Sequence, residues 1–177
     1  MTEYSVEVSE TVGFTDAVSY VPPDTIRERI IKAVIAKLAG ATLSNDYATN
    51  IGANVNRAVK HHDPDDLPAC VVWPQAEEVT RKVGGKVHLT MPVRIEGIAA
   101  YGSANPSVVA ERILGDLIKI MTDRTTIATT TNSLGDDVEY AMGGTDEYPD
   151  EETKTVGASA LFNISYRILS GNPYSQS

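Results

Sequence analysis

The sequence has little of the chemistry that is typical of a catalytic or disulfide-stabilised protein. It contains a single cysteine, Cys70, so an internal disulfide is excluded. This residue lies in the apolar run ACVVW, which predicts a small buried hydrophobe instead of a reactive thiol. Aromatic residues make up only 6% of the chain, so the predicted core is mostly aliphatic. No apolar run approaches the roughly 18 residues that a membrane span needs.

The charge balance is acidic. Lys and Arg number 15 against 24 Asp and Glu, which gives a formal net charge of −9. A duplex-binding surface needs a basic stripe to neutralise phosphates, and an anionic membrane also attracts basic residues. The polar, acidic first residues are unlike a signal peptide. We therefore expect a protein that is made and used in a cytoplasm, with no membrane partner.

The clearest pattern is a long strand that leads into a helix. Residues 86–101 alternate between apolar and polar side chains, which is typical of a strand with one buried face. Residues 106–122 then repeat apolar side chains at helical spacing. Asn105 and Pro106 suit the N-cap and the first helical position. The inward residues predicted for the strand are Val87, Leu89, Met91, Val93 and Ile95.

Weaker patterns complete the predicted order of elements. A helix is predicted between Thr25 and Gly40, and the alternation in 51–59 favours a modest strand. A further strand is predicted at 68–74 and extends with charge to residue 83, before a hairpin turn at Gly84-Gly85. Another strand should point Val138, Tyr140 and Met142 inward, and a long final strand should cover 156–169.

Together these elements predict an α+β fold. We expect a mainly antiparallel sheet with long hairpins and two amphipathic helices packed on one face. Residues 1–21 are expected to form an extended N-terminal arm, 22–169 a single domain and 170–177 a flexible C-terminal tail.

One cluster has the residue types of a metal site. His61, His62 and Asp63 are adjacent, with Asp65 and Asp66 close behind and His88 on the long strand. Neighbouring histidines in an extended chain point in opposite directions, so they chelate one ion poorly. A solvated turn is the favoured interpretation, and no metal, cofactor or catalytic residue is predicted. The run Gly84-Gly85-Lys86 lacks the spacing of a phosphate loop.

Charged residues on the predicted strands and in one acidic loop suggest contact surfaces. Arg94 and Glu96 lie on the polar face of the long strand, and Arg167 lies on the final strand. With Arg57 they are candidate subunit-interface residues, because ion pairs between subunits fix register. The alternative is a solvated sheet surface. An acidic loop, 143–155, lacks the spacing of a calcium loop and is favoured as solvated or lumen-facing; its acidic residues are Asp146, Glu147, Asp150, Glu151 and Glu152.

The arrangement resembles the tail terminator proteins of long-tailed bacteriophages, also called tail completion or minor tail proteins. The likeness spans residues 24–169. It is carried by DTIRERIIKAVIAKLAG, PACVVWP, KVHLTMPVRIEGIAAYG followed by NPSVVAERILGDLIKIM, and the closing GASALFNISYRI with its Tyr166-Arg167 pair.

This resemblance implies a structural virion protein and no enzyme. It implies a hexameric ring that caps the head-proximal end of the tail tube, stops tube polymerisation and joins the tail to the head-side connector. The implied partners are other copies of the chain, the tail tube protein and the connector, with DNA passing through the lumen. The implied location is the virion tail, after assembly in the host cytoplasm. The acidic loop is hypothesised to lie near the lumen or on the tube-facing rim, and the hairpins are hypothesised to act as docking fingers.

Three alternatives stay open at this point. The first is a neck or head–tail joining protein. The second is a small metal-dependent hydrolase that uses His61, His62, Asp63 and His88. The third is a monomeric binding module without a viral role.

Overall fold

A computed structural model describes residues 22–59, 64–123, 128–129, 132–145, 152 and 154–176. The predicted N-terminal arm, 1–21, lies outside the described residues. Two helices and one large sheet confirm the predicted α+β class. The helices are α1 (Ile26–Leu38) and α2 (Pro106–Thr122). The strands are β1 (Asn54–Arg57), β2 (Ala69–Pro74), β3 (Glu78–Val83), β4 (Lys86–Ala100), β5 (Ala128–Thr129), β6 (Asn132–Ser133), β7 (Asp137–Thr145) and β8 (Thr155–Leu169).

The sheet is built around the two longest strands. β4 and β8 pair antiparallel along their full length, from Lys86 opposite Leu169 to Ala100 opposite Thr155. The strand order is β1-β2-β4-β8-β7, and β3 pairs with the part of β4 that β2 does not reach. The small β5–β6 pair forms a separate ladder. The sheet is therefore mainly antiparallel, as predicted.

Two strand predictions need correction. The segment 51–59 was expected to be one strand, but Ile51–Ala53 is a 3₁₀ turn and only β1 follows it. β1 also pairs parallel with β2, whereas strands joined by a hairpin pair antiparallel. The strand predicted to continue from 68 to 83 is interrupted: β2 ends at Pro74 and β3 begins at Glu78.

Both helices pack on the same face of the sheet, as predicted. The alternate residues of β4 that were expected to point inward are all buried in one core. On β8 the inward set is also in that core, including Phe162 and Ile164. Gly97 allows α2 to approach β4 closely, since a Cβ there would lie 2.5 Å from a methyl carbon of Ile113. The glycine at this crossing therefore allows the short distance between α2 and β4.

Each helix begins at a residue whose side chain caps it. The Thr25 hydroxyl accepts a hydrogen bond of 3.1 Å from the backbone N–H of Glu28. Asn105 accepts one of 3.0 Å from the N–H of Ser107. These bonds satisfy backbone donors that have no partner inside the first turn. The predicted start of α2 is confirmed, with Pro106 in its first turn.

A β-bulge in β7 reverses one predicted side chain. Val138 and Tyr140 pack against the core as expected, but Met142 is 64% exposed. The register shifts between Tyr140 and Met142, so Met142 pairs with Leu161 on the opposite face. One extra residue in a strand moves every following side chain to the other face. The inward prediction for Met142 is therefore wrong.

The two ends of the long ladder carry different turns. At one end Gly84 and Gly85 join β3 to β4 with φ values of 58° and 76°. Two successive positive φ values define the predicted hairpin turn and favour glycine at both positions. At the other end β7 and β8 are joined through the acidic loop.

Residues 170–176 fold back onto the domain. The Ser170 N–H donates to Gly85 O at 2.8 Å, and the Ile26 N–H donates to Pro173 O at 2.9 Å. The segment therefore contacts both the β3–β4 turn and the start of α1. Within the described ranges, neither helix is both long and apolar enough to cross a membrane.

Candidate assembly surfaces

The face of the sheet turned away from the helices is here called the open face. Its central row runs across β2, β4, β8 and β7 and consists of Trp73, Arg94, Leu161 and Met142. Glu96 organises this row, because its carboxylate accepts from Trp73 Nε1 at 2.8 Å and lies 2.6 Å from Arg94 Nη2. The open face therefore has a mixed apolar and charged centre whose charges are held in place.

Two shallow clefts lie on either side of Arg94. One, of about 300 Å³, is lined by Glu96, Ile98 and Ser159 among others. The other, of about 350 Å³, is lined by Met142 and by small residues of β7 and β8. Small side chains leave this part of the open face recessed, so it has the shape of a contact surface more than of an enclosed ligand pocket.

The structure places the other predicted interface residues far apart and pairs each within the chain. Arg57, on β1, lies 2.8 Å from Glu28 of α1. Arg167, on the open face of β8, makes two 2.8 Å bonds to Asp136. The Asp136 carboxylate raises the pKa of the Arg167 guanidinium through these bonds. The role of Arg57, Arg94, Glu96 and Arg167 at a subunit interface stays a prediction.

Most of the acidic loop lies outside the described residues. Glu152 is described and exposed. The flanks of the loop are described, because β7 ends at Thr145 and β8 begins at Thr155. This places the loop at the end of the sheet where β4 leads into α2. The residues outside the described part are Asp146, Glu147, Asp150 and Glu151.

The predicted metal-ligand cluster is only partly described. His61, His62 and Asp63 lie outside the described residues. Among the residues that the structure does describe, no group of three or more His, Cys, Asp or Glu side chains is placed to hold an ion. His88 lies on the open face between Arg81 and Arg167 in register, where two cationic neighbours disfavour a bound cation.

Sequence reasoning missed the free edges of the sheet, which among the described residues belong to β1, β3 and β7. Over the described ranges, β7 pairs only with β8, and β3 pairs only with β4. All six residues of β3 are exposed, and Val79 is 52% exposed. The bulge interrupts the alternation of side chains along β7, so the sequence pattern did not show which of its residues are exposed.

Sequence reasoning also missed two buried polar side chains. Asp116 of α2 is 4% exposed and accepts bonds from the backbone N–H groups of Ala48 and Thr49 and from the Thr49 hydroxyl. The phenol of Tyr166 is buried and donates to Glu77. The position of Asp116 within the apolar stripe of α2 was the available signal, since a charge there must find partners.

Comparisons with known proteins give a likeness to solved structures only. No family model matches the chain, and no curated protein matches it. A solved structure described as "Virion of native gene transfer agent (GTA) particle" contains a chain similar to this one, with a TM-score of 0.41 and 15% identity. The alignment covers 80% of this chain and 90% of that one. The likeness concerns the path of the backbone only, and the sequence identity is too low to assign roles to residues.

Proposed function

We propose that this chain is a tail terminator, a structural virion protein that forms a ring of six copies at the head-proximal end of a phage tail tube. The observation that carries the proposal is that the segments with the family resemblance build one continuous unit. They correspond to α1, β2, β4 with α2, and β8, which share a single core. The ring ends tube polymerisation and joins the tail to the head-side connector.

The surfaces of the domain suit a ring. A closed ring of identical copies needs two different patches on each subunit, one for each neighbour. β7 and β3 lie on opposite sides of the sheet and both have a free edge in the described part of the chain. The two patches are therefore separate and face in different directions, as head-to-tail contacts require.

In this proposal, the acidic loop and the open face also have a position or a contact in the ring. The loop joins β7 to β8 at one end of the sheet, and we place it at the lumen or on the tube-facing rim. A negative lining avoids trapping the phosphates of passing DNA. The open face around Arg94 and Glu96 is proposed to contribute to contacts between subunits.

The proposal is tested by the length of tail tubes. The tail tube protein of the same virus is polymerised alone and with substoichiometric amounts of this chain, and the tubes are imaged by negative-stain microscopy. We expect shorter tubes with a ring at one end. Unchanged tube lengths and bare ends would overturn the proposal.

The same material separates the alternatives. Co-purification with portal-side proteins, and not with tube protein, indicates a neck or joining protein. A metal-dependent hydrolase predicts bound metal at purification and loss of function in His62→Ala. A single 19 kDa species at all concentrations, without binding to tubes, indicates a monomeric binding module.

A further inference from the structure

The charged residues on two of the free edges of the sheet, β7 and β3, differ from those in its middle. Arg94 pairs with Glu96, and Arg167 pairs with Asp136. On the edges, Glu139 of β7 and Arg81 of β3 have no ion-pair partner within the described residues, and neither does Lys82. Within the described residues β7 therefore has an acidic edge, and β3, with Arg81 and Lys82 against Glu78, has a net positive edge.

We propose that β7 of one copy pairs with β3 of the next copy, so that the sheet continues from subunit to subunit. The occupant of each edge is thus a second copy of this chain. Each edge has free backbone groups, and the two edges carry opposite charge, with Glu139 on β7 and Arg81 on β3. The inference depends on the proposed function only for closure at six copies.

The direction of the pairing follows from the topology. β7 and β4 each run antiparallel to β8, and β3 runs antiparallel to β4, so β7 and β3 point in opposite directions within one subunit. Rotation about a ring axis that lies along the strands preserves these directions. β7 and the neighbouring β3 therefore meet antiparallel, which continues the alternation of the sheet.

The register follows from the faces of the side chains. Residues directly opposite each other in a sheet share one face. Glu139 and Arg81 both lie on the open face, through their pairing with Asn163 and His88. Placing them opposite each other also brings the bulge of β7 against the bulge of β3. The same register matches the faces of three further pairs: Asp137 with Val83, Val138 with Lys82, and Met142 with Glu78.

β1 is the weaker candidate for the basic edge. It has four residues, against six in β3, and its Arg57 is bound to Glu28 of α1.

Charged residues on an edge strand can also have a different role, because they protect proteins from unwanted pairing. That protective role predicts no contact between β7 and β3, so one experiment separates the two interpretations.

The decisive experiment is a disulfide trap. Glu139→Cys and Arg81→Cys are combined in one chain and mildly oxidised. Two strands lie between β3 and β7, so their separation within a chain is about 14 Å. A disulfide needs Cα atoms roughly 4.4–6.8 Å apart, so it forms only between copies. The native Cys70 is buried and does not compete.

We expect a ladder of covalent multimers on a non-reducing gel. The matched control combines Glu139→Cys with Lys82→Cys, because Lys82 points to the other face of the sheet. It should give no ladder. A missing ladder in the first variant, or equal ladders in both, overturns the inference.

Charge reversal gives a second readout. Glu139→Arg and Arg81→Glu should each weaken self-association by up to roughly 5-fold per interface, since like charges directly opposite repel. The double variant should recover towards wild type in sedimentation or light scattering, whereas Glu111→Arg on the exposed side of α2 should have no effect. Failure of the double variant to recover counts against the register.

The two proposals fail in distinguishable ways. A chain that caps tubes but forms no specific ladder overturns the β7–β3 pairing and leaves the tail terminator proposal standing. A chain that forms the ladder but does not cap tubes overturns the tail terminator proposal and leaves the pairing standing.

Discussion

The buried carboxylate of Asp116 is predicted to anchor the segment after α1 to α2. Its side chain accepts bonds of 3.0 Å from the Ala48 N–H, 2.7 Å from the Thr49 N–H and 2.6 Å from the Thr49 hydroxyl. At 4% exposure it has little access to water as a replacement partner. Asp116→Ala removes all three bonds at once and leaves two backbone donors without an acceptor.

The magnitude follows from these contacts. A hydrogen bond to a charged group contributes about 1.5–3 kcal/mol, and bonds that share one acceptor do not add fully. Alanine has a better helix propensity than Asp, which offsets up to about 0.7 kcal/mol. We therefore expect Asp116→Ala to lower the free energy of unfolding by about 2–4 kcal/mol. Thr49→Ala, which removes only the hydroxyl bond, should cost about 1 kcal/mol.

Urea denaturation followed by circular dichroism measures these changes. The control is Glu111→Ala, an exposed residue on the same helix, which should change stability by no more than about 0.5 kcal/mol. A loss below about 1 kcal/mol in Asp116→Ala, or a loss equal to that of the control, would refute the anchoring role.

Two further predictions concern buried titratable side chains. Tyr166→Phe should lower the free energy of unfolding by about 1–1.5 kcal/mol, because the bond to Glu77 is lost while Arg27 still pairs with that carboxylate at 3.2 Å; an unchanged urea midpoint would contradict this. Burial, with a smaller effect of the Asp116 charge, raises the pKa of Cys70 to about 12. The unfolded thiol ionises above about pH 8.5 and the folded thiol does not, so stability should fall as pH rises from about 9 towards 12. Cys70→Ala should lack this part of the decline, and the native thiol should resist thiol reagents; equal pH dependence in the two proteins would contradict the assignment.

Local and periodic features could be predicted from the sequence alone. The alternation along β4 and the helical stripe of α2 each depend on one repeating distance, so the buried residues could be identified without the partner element. The caps at Thr25 and Asn105 depend on atoms two or three residues away. The hairpin at Gly84-Gly85 depends on two positive φ values that glycine adopts without strain.

Features that join distant parts of the chain were decided only by the tertiary structure. The bulge that turns Met142 to the open face depends on the pairing of β7 with β8. The parallel pairing of β1 with β2 could not be predicted, because the sequence between the two strands has no periodic pattern. The sequence analysis also predicted Arg94 and Arg167 to be interface residues, and in the structure both form ion pairs within the chain.

The charges of β7 and β3 that have no ion-pair partner among the described residues could be identified only once the order of strands was known, because a strand's sequence does not show whether it lies at an edge. Periodicity thus determined which residues are buried, and the packing of the sheet determined which surfaces are left for another molecule.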